Sequence, residues 1–462
     1  MSRLRSLPVL TSFIAAALLC ALWALWMLSS ALLLRSSILR MGESGITAES
    51  AESHYRGMGS LPSAHAPLEW LSARYPTISA LVSASSPRSI FGEGRLDMGS
   101  ISALSERERG RLSDFLSGEV SSSVLEAMRD AAACRAAHFE RDFSRGPATD
   151  PGPMPSVASL SRMMAVLSLL SLDPAASRSP AEILSLCSSL SKFGINDPIL
   201  MGWLSGASMD ETAIESAGVA ISSHTPAHFE ESSWEPLAST WAARDAQAAV
   251  TLVAALETEL LQSVEWVYRG LASGAVGSDD LGSVFGEGPW LPLVVAYRTV
   301  LLPWAMRDMS AHIDYMLGLR EFIMSPERHS ATPPSPPAKW YPLASRMAPW
   351  FEGLSDRLLS YRARLRLGRV GLALEAHRSH LGAYPRSLGE LRLPESVLID
   401  PFTGTPFLYR SSSAGVLVYS VGANGSDERG RERMKGRGDI AWRVGKPPPQ
   451  SSTTPSAVSS VK

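Results

Sequence analysis

The chain opens on a stretch with no polar rhythm at all. From Ser6 to Leu34 there is no charged residue. At about 1.5 Å per residue, a helix of that length outreaches a bilayer core of about 30 Å. Arg3 and Arg5 precede the run, and Arg35 and Arg40 follow it. Trp23 and Trp26 fall where indole rings favour the outer interface, with the helix continuing past Met27 into the headgroup region. A cleaved signal peptide needs a shorter apolar core and a small-x-small site. A lipoprotein needs a small residue before Cys20, where Leu19 stands. The expectation is an uncleaved signal anchor over residues 1–40, touching membrane lipid from Ser6 to Leu34. The arginines balance across the run. The short N-terminal tail, with its amino charge, points to N-inside. That predicts a single-pass protein of the inner (cytoplasmic) membrane with its bulk in the periplasm.

Beyond the anchor the apolar spacing turns helical. Residues 41–145 read as mixed but mostly helical, with Leu112, Phe115, Leu116, Val120, Val124, Leu125 and Met128 at helix spacing. Residues 146–156 form a Pro/Gly linker. Residues 157–325 read as a helical domain. Pro180 suits the first turn of one helix. Asp197-Pro198 opens another through Leu204, and a long amphipathic helix runs from Trp241 to Leu271. Residues 291–306 are the most apolar of this part, but Arg298 and Pro303 interrupt them, which predicts a buried core helix rather than a second span. Residues 326–338 are a proline-rich boundary. A further long helix is expected from Trp340 to Leu381. Residues 446–462 are a Pro/Ser/Thr tail without core-forming residues, expected to be disordered.

The last quarter changes period. A helical face formed by Leu367, Val370, Leu374 and His377 stops at Gly382, a C-terminal cap candidate. Tyr384-Pro385 begins an extended segment, and Leu388, Leu391 and Leu393 give a short turn or helix. Residues 407–410 and 415–420 are β-rich runs around a serine turn, which reads as a hairpin. Residues 422–427 make a polar loop, and 439–444 a final strand. The predicted class is α+β: an N-terminal transmembrane helix, a mainly α-helical middle, and a small C-terminal domain of long helix plus short antiparallel sheet over 339–445.

These pieces resemble the C-terminal half of the major pseudopilin of type II secretion systems, the GspG-like group. The resemblance rests on Ala373-Leu374-Glu375-Ala376-His377, Gly382-Ala383-Tyr384-Pro385, Leu388, Leu391, Asp400-Pro401-Phe402, Gly404-Thr405-Pro406-Phe407-Leu408-Tyr409, Tyr419-Ser420-Val421-Gly422 and Asp439-Ile440, in that order. The tail also resembles one found at the end of single-anchor bacterial proteins with a helical middle. The departures are specific. A prepilin signal carries a glycine before its cleavage point and a glutamate within the apolar helix, and Ser6 to Leu34 has neither. The anchor runs straight into the C-terminal domain in that family, whereas here residues 41–338 intervene. The resemblance therefore implies a pseudopilin-like module reused on another anchored protein, not a filament subunit. It also implies a calcium loop, whose matching positions are Asn424, Ser426, Asp427 and Asp439. Calcium takes six to eight oxygens. Arg429, Arg431, Arg433, Lys435 and Arg437 outnumber the loop's acids, so a solvated loop closed by hydrogen bonds is the other reading.

The formal charge of −2 implies no bulk attraction to nucleic acid. The basic residues are nearly all Arg, which reads as coding bias rather than function. Of three cysteines, Cys20 lies in the anchor, and Cys134 and Cys187 either pair in an oxidising compartment or are two buried thiols. His224 and His228 have helical metal spacing, but Pro226 sits between them, so loop histidines are expected. His377, His380, Glu375 and Glu390 read as structural. No G-x-S-x-G elbow occurs, and Gly92-Glu93-Gly94 lacks the Lys-Ser/Thr of a phosphate loop. The Trp and Met residues of the middle read as core, part of them as an interaction face. The expected function is a non-enzymatic, membrane-anchored scaffold or interaction protein, without a cofactor unless calcium binds, whose partners are envelope or secretion-system proteins. A ligand-sensing envelope protein and an envelope hydrolase are the alternatives.

Overall fold

The computed structural model describes residues 7–47, 63–85, 104–137, 139, 150–169, 179–223, 230–325, 332–412, 415–431 and 438–445. The helices are α1 (Leu7–Glu43), α2 (His65–Ser85), α3 (Glu106–Ser117), α4 (Glu119–Ala133), α5 (Met154–Ser168), α6 (Pro180–Ile195), α7 (Leu200–Ser223) and α8 (Glu231–Gln262). They continue with α9 (Ser278–Phe285), α10 (Trp290–Arg298), α11 (Leu302–Met324), α12 (Pro342–Phe351), α13 (Leu354–Leu381) and the single turn α14 (Glu395–Leu398). The strands are β1 (Leu408–Ser412), β2 (Gly415–Ser420) and β3 (Ile440–Gly445), an antiparallel sheet in the order β1-β2-β3. The result is a mostly helical protein with one apolar N-terminal helix and one small sheet. Residues Ala15–Glu43 of α1 are long and apolar enough to cross a membrane, with mean hydropathy 2.1 in the most apolar stretch.

The first helix does not stand apart from the rest. It lies along α11 in parallel, and its polar contacts repeat at a fixed offset. Trp23 Nε1 donates to the Val300 carbonyl (2.9 Å), Arg307 Nε to Ser30 Oγ (2.9 Å), and Ser37 Oγ to Asp314 Oδ1 (2.7 Å), each pair separated by 277 positions. Positions 23, 30 and 37 against 300, 307 and 314 step by seven, the interval that keeps two straight helices facing each other. Arg40 pairs with Asp314 (2.5 Å), and Ser37 also meets Ser310 (2.8 Å).

The helical body is built on α6, α7, α8 and α13. Gly194 of α6 and Gly206 of α7 let these two helices touch backbone to backbone: a Cβ on either would lie 2.6 Å from the other helix. Trp203 and Trp241 are fully buried between the helices. Asp210 of α7, also fully buried, accepts from Ser188 Oγ (2.5 Å) and Tyr361 OH (2.6 Å), with Arg244 Nε at 3.7 Å. A buried carboxylate is tolerable only when donors surround it. The arginines of α13 are used in pairs: Arg357 with Glu211 (2.9 Å), Arg364 with Glu215 (3.0 Å), and Arg362 and Arg366 with Asp245 (2.7 and 2.8 Å). Composition had offered no role for them.

Glycine and proline set the breaks. Gly118 separates α3 from α4 where one helical run was read. Gly353, at φ 78°, divides the helix expected from Trp340 to Leu381 into α12 and α13. Pro303 occupies the first turn of α11, so the chain breaks before it rather than kinking at it. The helix opened after Asp197-Pro198 runs on to Ser223. Gly382 caps α13 in the left-handed region as expected, its N–H bonded to the Arg378 carbonyl (2.8 Å). The apolar 291–306 run is the main correction. It is not a buried core helix: Leu291 and Val295 on α10 are 63% and 54% exposed, because α10 packs through its other side, with Trp290, Val294 and Tyr297 buried and Leu293 partly so.

The sheet is a meander held on α13 and α7 by one indole. Trp442 of β3 sits in a notch between Gly218 of α7 and Gly371 of α13, and a Cβ on Gly371 would overlap its ring. Val416 and Val418 of β2 are fully buried beneath it. Gly371→Ala is therefore expected to destabilise the protein by about 1–3 kcal/mol through overpacking. Denaturant unfolding with Trp fluorescence measures it; an unchanged midpoint contradicts the notch.

Candidate functional site

An open groove of about 840 Å³ runs between the start of α8, the end of α13 and the chain around 390–394. Its floor is short and apolar, with Ala238 and Ala242 from α8 facing Ala373 and Ala376 from α13, beside Trp234 and Leu372. The rim is charged. Glu231 pairs with His380 across the groove (3.5 Å), and Glu235, Arg369, Glu390 and Arg392 complete the edge. His377 Nδ1 bonds the Ala383 carbonyl (3.0 Å), which leaves Nε2 as an acceptor. Burial pushes the Arg369 guanidinium below its usual value, against Asp245, which favours the charge. Alanine at paired positions gives the groove width for a helix or an extended peptide.

The turn after α13 is pinned from beneath. Tyr384 OH donates to Glu375 Oε1 (2.5 Å) and accepts from Arg378 Nη1 (2.5 Å). Burial raises both the Glu375 carboxyl and the Tyr384 phenol. Glu375 therefore orients the turn rather than facing a ligand. Glu390 accepts from the Arg386 N–H (3.3 Å). The Asp400 carboxylate accepts from the Phe402 N–H and Ser420 Oγ (both 2.9 Å) and closes the Asp400-Pro401-Phe402 turn onto β2.

The four residues read as a calcium set do not converge as a set. Asn424 Oδ1 accepts from the Ser426 N–H (3.0 Å), an Asx turn, and Asn424 Nδ2 donates to Glu428 (2.8 Å). Asp427 Oδ1 takes Tyr419 OH (3.0 Å) and the Arg429 N–H (2.7 Å). Asp439 is buried, accepting from the Gly430 N–H (2.6 Å) at one oxygen, while its other oxygen is buried without a hydrogen-bond partner. Burial and the adjoining Glu428 carboxylate push Asp439 up to about 6. Glu428, not Asp427, is its acidic neighbour. Sequence reading missed this because the loop between β2 and β3 folds back on itself to bring Glu428 to Asp439, eleven positions later. Among the described residues no three His, Cys, Asp or Glu side chains gather around one point.

Two buried clusters elsewhere resemble chemistry but are built as core. Ser263 Oγ lies 2.7 Å from His312 Nε2, and the other ring nitrogen has no partner. Burial holds His312 down to about 3, so it is neutral and a poor base. Asp308, one helical turn earlier, spends its oxygens elsewhere. It accepts from Tyr268 OH (3.2 Å), Tyr297 OH (2.5 Å) and the N–H groups of Leu343 and Ala344 (3.0 and 2.8 Å), capping α12 from another helix. Burial raises its carboxyl all the same. Cys134 and Cys187 are separate thiols, Cys134 half-buried and Cys187 fully buried, the latter pushed up to about 12 by burial. His224, His228 and Gly92-Glu93-Gly94 lie outside the described residues.

No protein-family model, curated protein or solved structure matches this chain.

The Asp439 shift has a definite sign. Its folded value of about 6 lies above the ordinary carboxyl value of about 3.9, so the folded state holds a proton the unfolded state has lost. Its contribution to stability is complete below the unfolded value and is lost as pH rises through about 6. Asp439→Asn, which keeps an acceptor for Gly430, should therefore come closest to the parent near pH 4 and melt a few degrees higher near pH 7. Thermal melts at both pH values test this; a variant less stable than the parent at pH 7 contradicts it.

Proposed function

We propose that this protein is a membrane-anchored, extracytoplasmic scaffold whose pseudopilin-like C-terminal region receives an envelope partner belonging to a type II secretion or pilus-like system. The observation that carries the reading is the join between α13 and the sheet. A long helix ends at a left-handed Gly382, passes through the Tyr384-Pro385 turn pinned by Glu375, and is followed by a three-stranded antiparallel meander packed on the same helix. The residues at each stage are those that carry the resemblance to the GspG-like group. The groove supports a partner-binding role, since it lies on the outer side of that join and combines an alanine floor with a rim of both signs. Polar rims of mixed charge around an apolar floor favour a specific peptide partner over a small ligand.

A photocrosslinking residue at Ala376, in full-length protein in the native membrane, tests the reading. A discrete adduct with a pilin-like, secretin or other envelope protein is expected, with none from the same residue at Val250, an exposed site on α8. Failure to recover any envelope protein from Ala376 counts against it.

Calcium keeps one supporting observation, the partnerless buried oxygen of Asp439 beside Glu428. These residues would hold the ion, and it would keep both carboxylates ionised. Calorimetry on the full-length protein should then give binding near pH 7 that weakens near pH 5, as Asp439 takes up its proton. No heat at millimolar calcium and pH 7 removes the ion from this account.

A further inference from the structure

The most apolar stretch after α1 is left out of the core. Leu291, Val295 and Val300 are 63%, 54% and 67% exposed. Leu291 and Val295, four apart, share the outer face of α10, and Val300 follows in the turn that leads into α11. The one charged residue of α10, Arg298, is exposed on the same side as Leu291 and Val295, but its guanidinium is held by the protein, donating to the carbonyls of Leu271 (2.8 Å) and Val276 (2.7 Å). Its charge is thus tied to backbone oxygens at the edge of the face, and Glu287 lies upstream of it.

The position of this face is fixed by α1. Trp23 Nε1 donates to the Val300 carbonyl, and α1 and α11 run parallel, so the N-terminal end of α11 points the same way as the N-terminal end of α1. About 30 Å of hydrocarbon takes about twenty helical residues, a span that reaches Trp26 when counted from Leu7. Arg307, one heptad and about 10 Å beyond Val300, donates to Ser29 and Ser30. A charged group at that level belongs among headgroups or in water, not in acyl chains. The hydrocarbon boundary therefore falls between Trp26 and Ser29, about one helical turn past the level of Trp23 and Val300. The surroundings have the composition of such a boundary. Trp350, 43% exposed, stacks on Phe285 (5.3 Å), and Arg346 lies 4.8 Å from the Trp290 ring. On α1, Leu22 and Leu25 beside Trp23 are also exposed, and Trp23 is bonded to the Val300 carbonyl.

We propose that α10 and the 299–301 turn form a membrane foot: Leu291, Val295 and Val300 enter the interfacial zone of the bilayer that α1 crosses. This rests on α1 being the anchor. The protein then holds the membrane at two points, and the helical body has a fixed tilt instead of swinging on one helix. Lipid is the occupant because any protein partner at this level would itself have to sit at the bilayer surface.

The test uses full-length protein in nanodiscs of phosphatidylethanolamine and phosphatidylglycerol, with Cys20→Ser and Cys134→Ser; Cys187 is buried and stays unlabelled. Val295→Cys, Val300→Cys, Leu25→Cys and Val250→Cys each carry an environment-sensitive fluorophore, and nitroxide-bearing lipid is the quencher. Emission from 295 and 300 is expected to be blue-shifted and quenched at least twofold more than from 250, with 25 also quenched. Quenching at 25 while 295 and 300 behave like 250 overturns the foot and leaves the anchor standing. Absence of quenching at all four positions overturns both. In the Val300→Cys protein, adding Leu291→Asp and Val295→Asp should remove the quenching at 300; its persistence also counts against the foot. The labelled positions and Leu291 are all exposed, so substituting them leaves the core intact.

Discussion

The parallel contact between α1 and α11 is the constraint on which the rest of this structure depends. A helix long enough to cross a bilayer is usually joined to its soluble domain by a linker, and the domain then tumbles beside the membrane. Here the helix leaves the apolar zone without a break and lies down on α11 for several more turns. Ser30 meets Arg307, and one heptad on Ser37 meets Asp314, which Arg40 also reaches, while Ser37 touches Ser310 as well. The hydrogen bonds are individually modest, and the exposed Arg40–Asp314 pair adds little to stability. Their value is geometric. A shift by one residue would break each of these pairs, so they set the register and direction of α1 against the body.

Behind that mount, buried polar groups lock helices that are far apart in the chain. Asp210 joins α6, α7, α8 and α13 through Ser188, Arg244 and Tyr361, and Asp308 of α11 joins Tyr268, in the π-helical segment Ser263–Arg269 that follows α8, and Tyr297 of α10 to the first turn of α12. Apolar residues of the same shape could be equally stable at such sites. What the carboxylates add is uniqueness, because each leaves several donors unsatisfied in any other packing. The same rigidity reaches the C-terminal sheet through Trp442, whose notch exists only because Gly371 has no side chain. The groove at the end of α13 thus lies on a frame connected without a flexible joint to the helical body.

Much of this was legible in the chain. The long apolar first helix followed from an uncharged run longer than a bilayer is thick, and the hairpin, the final strand and the Gly382 cap followed from local chemistry that operates within a few residues. Helix boundaries were less secure, since Gly118 and Gly353 break the helices by adopting non-helical backbone conformations that glycine permits but does not require. The Glu428–Asp439 neighbour pair, the groove and the Asp210 cluster left no sequence signal. Tyr361 meets Asp210 across 151 positions, and no spacing rule acts over that distance.

The sequence by itself determined the elements, the apolar helix and the order of pieces in the last quarter, because hydrophobic period, turn residues and charge act locally. Only the tertiary structure decided which apolar faces are covered. The run 291–306 is as oily as any core helix, yet its outer face is left exposed beside Trp23. Burial is a property of neighbours, and neighbours brought together across 277 positions are set by the packing of whole helices.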